Sequence, residues 1–302
     1  MLTNVVASQA AKHAEWGGVV PEVAARMHVE AITGVIEAAL QGQRPDGIAV
    51  TNRPGLVGAL SVGVSAAKAL ARLWRLPIVG VHHIEGHLLS PFDADHPAAF
   101  PVLSLVVSGG HTELFWIQGY GRYKLLAETI DDAAGEAFDK GARLLGLGYP
   151  GGRALEELAR EGNPKRYSLP QGLRHDPQRW SFSGLKTAMR RLVEVEGDAL
   201  DRADAAASLQ AAIVAALVRK VEAALDERTP ASLSLVGGVA ANGALRSAIT
   251  SVAERSGLPC AIPPLDRCTD NAAMIALAGA HRLEAGHNDG FAFETLATSD
   301  LV

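Results

Sequence analysis

The sequence is poor in cysteine, in aromatic side chains and in long apolar runs, and it carries no large excess of either charge. Cys260 and Cys268 are its only cysteines and lack CxxC spacing, which excludes a disulfide framework and a four-cysteine zinc site. A reducing, cytoplasmic setting is therefore expected. No apolar stretch approaches the ~18 residues of a membrane span, and the opening MLTNVVASQAAKH lacks the basic and apolar regions of a secretory signal. No membrane partner is expected. A net charge of -5 argues against a protein that coats nucleic acid by bulk charge. What is present, 302 residues with 48% apolar and 20% charged, suits two folded domains with sizeable cores rather than a disordered or fibrous chain.

Charge is locally segregated. Arg160, Lys165, Arg166, Arg174, Arg179, Lys186, Arg190 and Arg191 face only Glu161 and Asp176 within 160–191, leaving -11 on the rest of the chain. With Tyr167, Trp180 and Phe182 interleaved, this inserted basic segment reads as part of an RNA-binding surface.

Glycines repeatedly follow short β-branched runs and precede alanine-rich helical stretches, the grammar of an α/β fold. Two such units align: GIAVT (47–51), Gly55, a helix to Trp74 and IVGV (78–81); and SLSLV (232–236), Gly238, a helix to Arg255 and CAIP (260–263). This weak duplication predicts two related halves, 1–97 and 98–302, facing one another across a cleft. The second half opens with a hairpin of LSLVV (103–107) and TELFWI (112–117) and a third strand, YKLLAETI. The first half opens on LTNVVAS, which matches only that third strand, so an N-terminal hairpin with its glycine-rich turn is expected to be missing. Helices are predicted from Pro21 to about Leu40, from Asp131 and Asp132 to about Leu147, over 201–227, and after Thr269 and Asp270, which read as N-cap candidates.

In VHHIEGH, His83 and His87 stand at i and i+4 on one helix face, a metal-chelating arrangement. Glu85, two residues from each, points about 200° around the helix and cannot activate water on that metal, so a metalloprotease is excluded on geometry. Symmetry suggests Asp270, beyond the strand CAIP, as third ligand reaching across the cleft. Two histidines and one carboxylate suit Fe2+, and Zn2+ is also allowed. Taken alone, Asp270 reads as an N-cap. Ser108-Gly109-Gly110-His111 and Gly237-Gly238 expose backbone N–H groups able to cradle phosphate. Asp132, Glu136 and Asp139 lie on one acidic helix face.

The ordered motifs GGVVPEVAARMH, RPGLVGALSVG, HHIEGH, VSGGHT, IDDAAGEAFDK, YPGG, SFSGLKT, GGVAANGALR and CTDNAAMIA resemble the TsaD family over about Gln9 to Gly286. These are tRNA adenosine threonylcarbamoyltransferases, once described as glycoprotein endopeptidases. The resemblance implies a duplicated actin-like, Hsp70-type ATPase (ASKHA) fold. It implies transfer of threonylcarbamoyl from threonylcarbamoyl-AMP to the adenosine beside the anticodon of tRNAs reading ANN codons, with TsaB and TsaE as partner proteins. It places metal ligands on His83, His87 and Asp270, and substrate contacts on Val106, Val107, Ser108, Gly109, Gly110, Asp139, Gly152 and Asn242. No catalytic base is assigned. Two departures stand out: the family's opening strand and GIETSCDET-type loop have no counterpart, and Asn52-Arg53 replaces a small residue and glycine before Pro54-Gly55. A sugar or acid kinase of the same fold is disfavoured, because Mg2+ prefers oxygen ligands to a histidine pair. A non-catalytic paralogue acting as a partner protein is the other alternative.

Overall fold

Short apolar runs punctuated by glycine and proline become strands, and alanine-rich stretches become helices, in the computed structural model of the chain, which describes residues 1–93 and 95–302. In chain order the first elements are α1 (Ala10–Glu15), α2 (Pro21–Leu40), β1 (Ile48–Arg53), α3 (Val57–Trp74), β2 (Ile78–His82) and α4 (His83–Leu89). There follow β3 (Val102–Val107), β4 (Thr112–Gly119), β5 (Arg122–Thr129), α5 (Ala134–Leu144), α6 (Gly152–Ala159), β6 (Arg179–Trp180), α7 (Ser183–Glu196) and α8 (Arg202–Glu227). The last are β7 (Ser232–Val236), α9 (Gly243–Arg255), β8 (Cys260–Ala261) and α10 (Ala272–Glu284).

Contacts divide the chain into two units, Met1–Asp93 with Asp270–Val302, and Ala94–Thr269. The contiguous division into 1–97 and 98–302 is corrected accordingly. The final 33 residues pack with the first unit because α10 lies against β1, β2 and α4, burying Met274, Ile275 and Ala278 with Val79, Val81 and Leu89. Gly279 makes this possible, since a Cβ there would lie 2.2 Å from that of Ala49.

In the first unit β1 and β2 pair in parallel, with Ile48 opposite Ile78 and Val50 opposite Gly80. Residues 2–8 form no strand: Leu2 and Val6 are exposed, and Thr3 Oγ1 donates to Ala39 O at 2.7 Å. Apolar alternation alone does not make a strand; its N–H and C=O groups need a neighbouring edge. The C-terminal segment after α10 runs beside both strands. Asn52 Nδ2 donates to Glu294 O, Leu296 N to Asn52 O and Gly55 N to Ala297 O.

The second unit holds a six-stranded sheet in the order β6-β5-β4-β3-β7-β8. The predicted hairpin and third strand are its antiparallel β3, β4 and β5, while β7 joins β3 in parallel. Every residue of β3 and β7 is buried, as expected of central strands covered on both faces. Leu209 and Ile213 of α8 share the core with Leu105, Leu235 and Phe138. Asp201 caps α8, accepting from Ala203 N and Asp204 N at 2.9 and 3.0 Å. Helix α5 starts at Ala134 rather than Asp131, because Asp131 is committed to another helix start. It accepts from Phe182 N at 2.8 Å and Ser183 N at 3.2 Å, and from the hydroxyls of Ser181 and Ser183.

Candidate functional site

The first unit gathers the histidine motif and one aspartate. Strand β2 ends at His82, whose Nδ1 accepts from Ile84 N at 3.2 Å and so starts α4. One turn separates His83 from His87, and their rings meet edge to face with centroids 4.6 Å apart. Asp270 Oδ1 lies 3.6 Å from His83 Nε2 and 3.2 Å from His87 Nε2, and one ligand atom from each of the three lies within 4.8 Å of the others. Asp270 does not reach in from the other half; it belongs by its contacts to the histidines' own unit. Nor is it the cap of α10. Asn271 takes that role, accepting from Met274 N at 3.0 Å, which leaves the Asp270 carboxylate 74% exposed beside two largely buried imidazoles.

The donor set fits a divalent transition metal on two grounds. Both ring nitrogens of His87 are buried and make no hydrogen bond among the described residues, and a buried nitrogen without one is costly. Two imidazoles and one carboxylate are also the ligand types preferred by Fe2+ or Zn2+. Burial pushes the His83 pKa down to about 4, with His87 and His82 adding to the effect and Asp270 opposing it. At neutral pH His83 is therefore unprotonated, the state that ligation requires.

The second unit holds the glycine turn and the other singled-out residues. Val106 and Val107 are fully buried in β3 and can offer only backbone groups. Ser108 Oγ accepts from His111 N at 3.0 Å, closing the turn, while a Cβ on Gly109 or Gly110 would meet nothing within 4 Å, so a ligand can approach that backbone closely. Asp139 accepts from Gly151 N and Gly152 N at 2.8 and 3.2 Å, both on Oδ1. Burial raises its pKa, against the effect of those two bonds. Asn242 caps α9 by accepting from Leu245 N, and its Nδ2 donates to Gln210 Oε1 at 2.7 Å. Glu136 and Asp132 do not form a free acidic face with Asp139. Both pair with Lys140, at 3.0 and 2.6 Å.

Two glycines have a packing role that the motifs do not disclose, Gly237 reading only as part of a phosphate cradle and Gly135 only as a small residue of an acidic face. A Cβ on Gly135 would lie 2.4 Å from Ser108 O, and one on Gly237, at φ +94°, would lie 2.4 Å from Val107 O. Both let neighbouring backbone press against the Ser108 turn. Their signal was present in DDAAGEAF and VGG, but only the contacts distinguish close approach from ordinary turn chemistry.

In the basic segment all eight cations are exposed, and Arg160, Arg179 and Arg190 pair locally with Glu156, Asp176 and Glu194. The interleaved aromatics are corrected: Trp180 and Phe182 are core residues of the second unit, and Tyr167 is half-buried with its hydroxyl accepting from Asp201 N. None is a free stacking platform.

The family model described as TsaD, tRNA N6-adenosine threonylcarbamoyltransferase, matches residues 1–277. The chain belongs to the TsaD family. Curated relatives of that name include one from Trichlorobacter lovleyi, 50% identical over all of this chain and 90% of its own length. Another, from Anaeromyxobacter dehalogenans strain 2CP-1, is 53% identical over 96% of this chain and 89% of its own. Among solved structures, a crystal structure of T. kodakarensis HypF superposes with a TM-score of 0.64 at 17% identity, covering 85% of this chain and 43% of that one. That likeness shows the fold alone, which is of the actin-like, Hsp70-type (ASKHA) class. The family identifies this TsaD member as a transferase of tRNA modification.

Proposed function

We propose that this TsaD family member transfers threonylcarbamoyl from threonylcarbamoyl-AMP to the N6 amine of the adenosine beside the anticodon in tRNAs reading ANN codons, with a divalent metal as cofactor. The observation that carries the metal is the meeting of His83, His87 and Asp270, from two helix starts, with the buried ring nitrogens of His87 making no hydrogen bond among the described residues. His83, His87 and Asp270 would hold Fe2+ or Zn2+, and the bound ion supplies a Lewis acid toward carbonyl or phosphate oxygens.

The chain's own residues account for adenylate recognition. The open backbone at Gly109 and Gly110 suits phosphate oxygens. Asp139 spends Oδ1 on the two N–H groups at the start of α6, and its Oδ2 suits the ribose hydroxyls. Gly152 N is turned toward Asp139, so the approach along Gly152 is by backbone. Asn242 keeps one amide hydrogen beyond its bond to Gln210 for the nucleoside. The exposed cations of 160–191 suit the tRNA phosphates, and TsaB and TsaE in the cytoplasm are the partners that supply and reset the adenylate site.

The test is transfer of labelled threonylcarbamoyl from synthetic adenylate to unmodified tRNA with TsaB and TsaE present. Modified adenosine is expected with the wild-type chain and none with His87→Ala. Failure of the wild type, while adenylate and tRNA both bind, would replace this reading with a non-catalytic paralogue.

A further inference from the structure

Glu85 sits between the two histidines on α4 yet faces away from them, and it is 6% exposed. A buried carboxylate needs a partner, and Glu85 Oε2 lies 3.9 Å from Arg282 Nη1. Arg282, near the end of α10, is itself tied down. Its Nη1 donates to Gly80 O at 2.6 Å and its Nη2 to Asp289 Oδ2 at 3.4 Å; Asp289 Oδ2 also accepts from Gly80 N at 2.9 Å, and Asp289 N donates to Ile78 O. One guanidinium thus joins α4, β2, α10 and the C-terminal segment. Arg282 and Asp289 lie beyond residue 277, the last that the family model matches.

The helices so joined carry the three candidate ligands: α4 bears His83 and His87, and Asp270 stands two residues before α10. They already touch at Gly86, where a Cβ would lie 2.7 Å from Ile275 Cδ1, so α4 packs on α10 with almost no tolerance at that level. Met274, Ile275 and Leu89 pack the rest of that seam, so the contact between the helices is apolar and carries no directional bond of its own. The Glu85–Arg282 pair supplies a second point of attachment on the face opposite the ligands.

We propose that Glu85 and Arg282 are positioning residues that fix α4 on α10 and so hold His83 and His87 in line with Asp270. The proposal rests on the reading of those three residues as a metal site. Neither Glu85 nor Arg282 is a ligand, and their effect is on affinity and coordination geometry. Groups that orient metal ligands from behind typically govern affinity by about 10–100-fold.

The experiment titrates Co2+ into chelator-stripped full-length chain and records affinity, the ligand-field spectrum and apo Tm for Glu85→Gln, Arg282→Met, the double variant, His87→Ala and Asp270→Ala. Glu85→Gln and Arg282→Met are expected to weaken Co2+ by about 10–100-fold and to shift its visible bands. The double variant removes both charges of the pair, and it should recover the part of the Tm loss due to an uncompensated Glu85, but not the part due to the lost bonds to Asp289 and Gly80 O, without recovering the spectrum. Wild-type Co2+ affinity and spectrum in Glu85→Gln and in the double variant, with binding lost in His87→Ala and Asp270→Ala, overturns the positioning role alone. Unchanged binding in His87→Ala and Asp270→Ala overturns the metal site beneath it.

Discussion

The side chain of His83 couples protonation to folding. Its folded pKa of about 4 lies below the 6.5 of an unstructured imidazole, so the unfolded chain takes up a proton that the folded chain resists. The contribution is whole above pH 6.5 and is lost as pH falls toward 4, about 3 kcal/mol at the limit. Urea unfolding of chelator-treated protein at pH 7 and pH 4.5 should show the fall, and His83→Gln should reduce the difference between the two. Metal content is the companion measurement: about one ion per wild-type chain by elemental analysis, and close to none after His83→Ala or His87→Ala. The histidine pair was legible in the sequence because i, i+4 spacing dictates a shared face. That Asp270 is not the cap was not, since Thr269, Asp270 and Asn271 can all cap a helix and only the backbone shows that Asn271 does.

At the level of elements, most strands and helices were legible from their spacing. Pro21–Leu40 carries proline at its first turn, Asp201 caps α8, and the hairpin of β3 and β4 follows from alternation around Ser108–His111. Where the reading failed, a tertiary partner intervened. Asp131 left the start of α5 to bond the start of α7, and residues 2–8 have a strand's pattern but no strand. Gly135→Ala should cost about 1–3 kcal/mol, because α5 must retreat from Ser108 O. Guanidinium unfolding measures the loss, and adenylate affinity should fall with it. Lys220 of α8 is buried, donates to Leu173 O at 3.3 Å and to Asp176 O, and lies over the Trp180 ring. Lys220→Met takes the ammonium from the Asp176 carbonyl, while Leu173 O keeps its bond from Asp176 N. An expected loss of about 1–3 kcal/mol should appear with faster proteolytic nicking near 171–179.

Across the whole molecule, the basic segment answers an overall acidic chain. Reversing Arg190 and Arg191 to glutamate should weaken tRNA binding several-fold and flatten the dependence of log affinity on log salt, as fewer phosphates are neutralised. Filter binding across a KCl series reads both, and an unchanged slope would move the RNA contact elsewhere. The charge run was legible in the sequence, whereas the fate of its aromatics was not: Trp180 and Phe182 look alike as stacking or core residues until the sheet and α8 enclose them.

The return of the chain to its first unit also imposes an order of synthesis. Helix α4 and its histidines leave the ribosome long before Asp270 and Arg282 exist, and at about 5–20 residues per second the wait is of the order of ten to forty seconds. Residues 95–269 are contiguous and can complete their own sheet meanwhile. A nascent chain stalled just past α9 would present His83 and His87 with neither Asp270 nor the guanidinium behind them. The three candidate ligands thus come together late in translation, when α10 docks on α4.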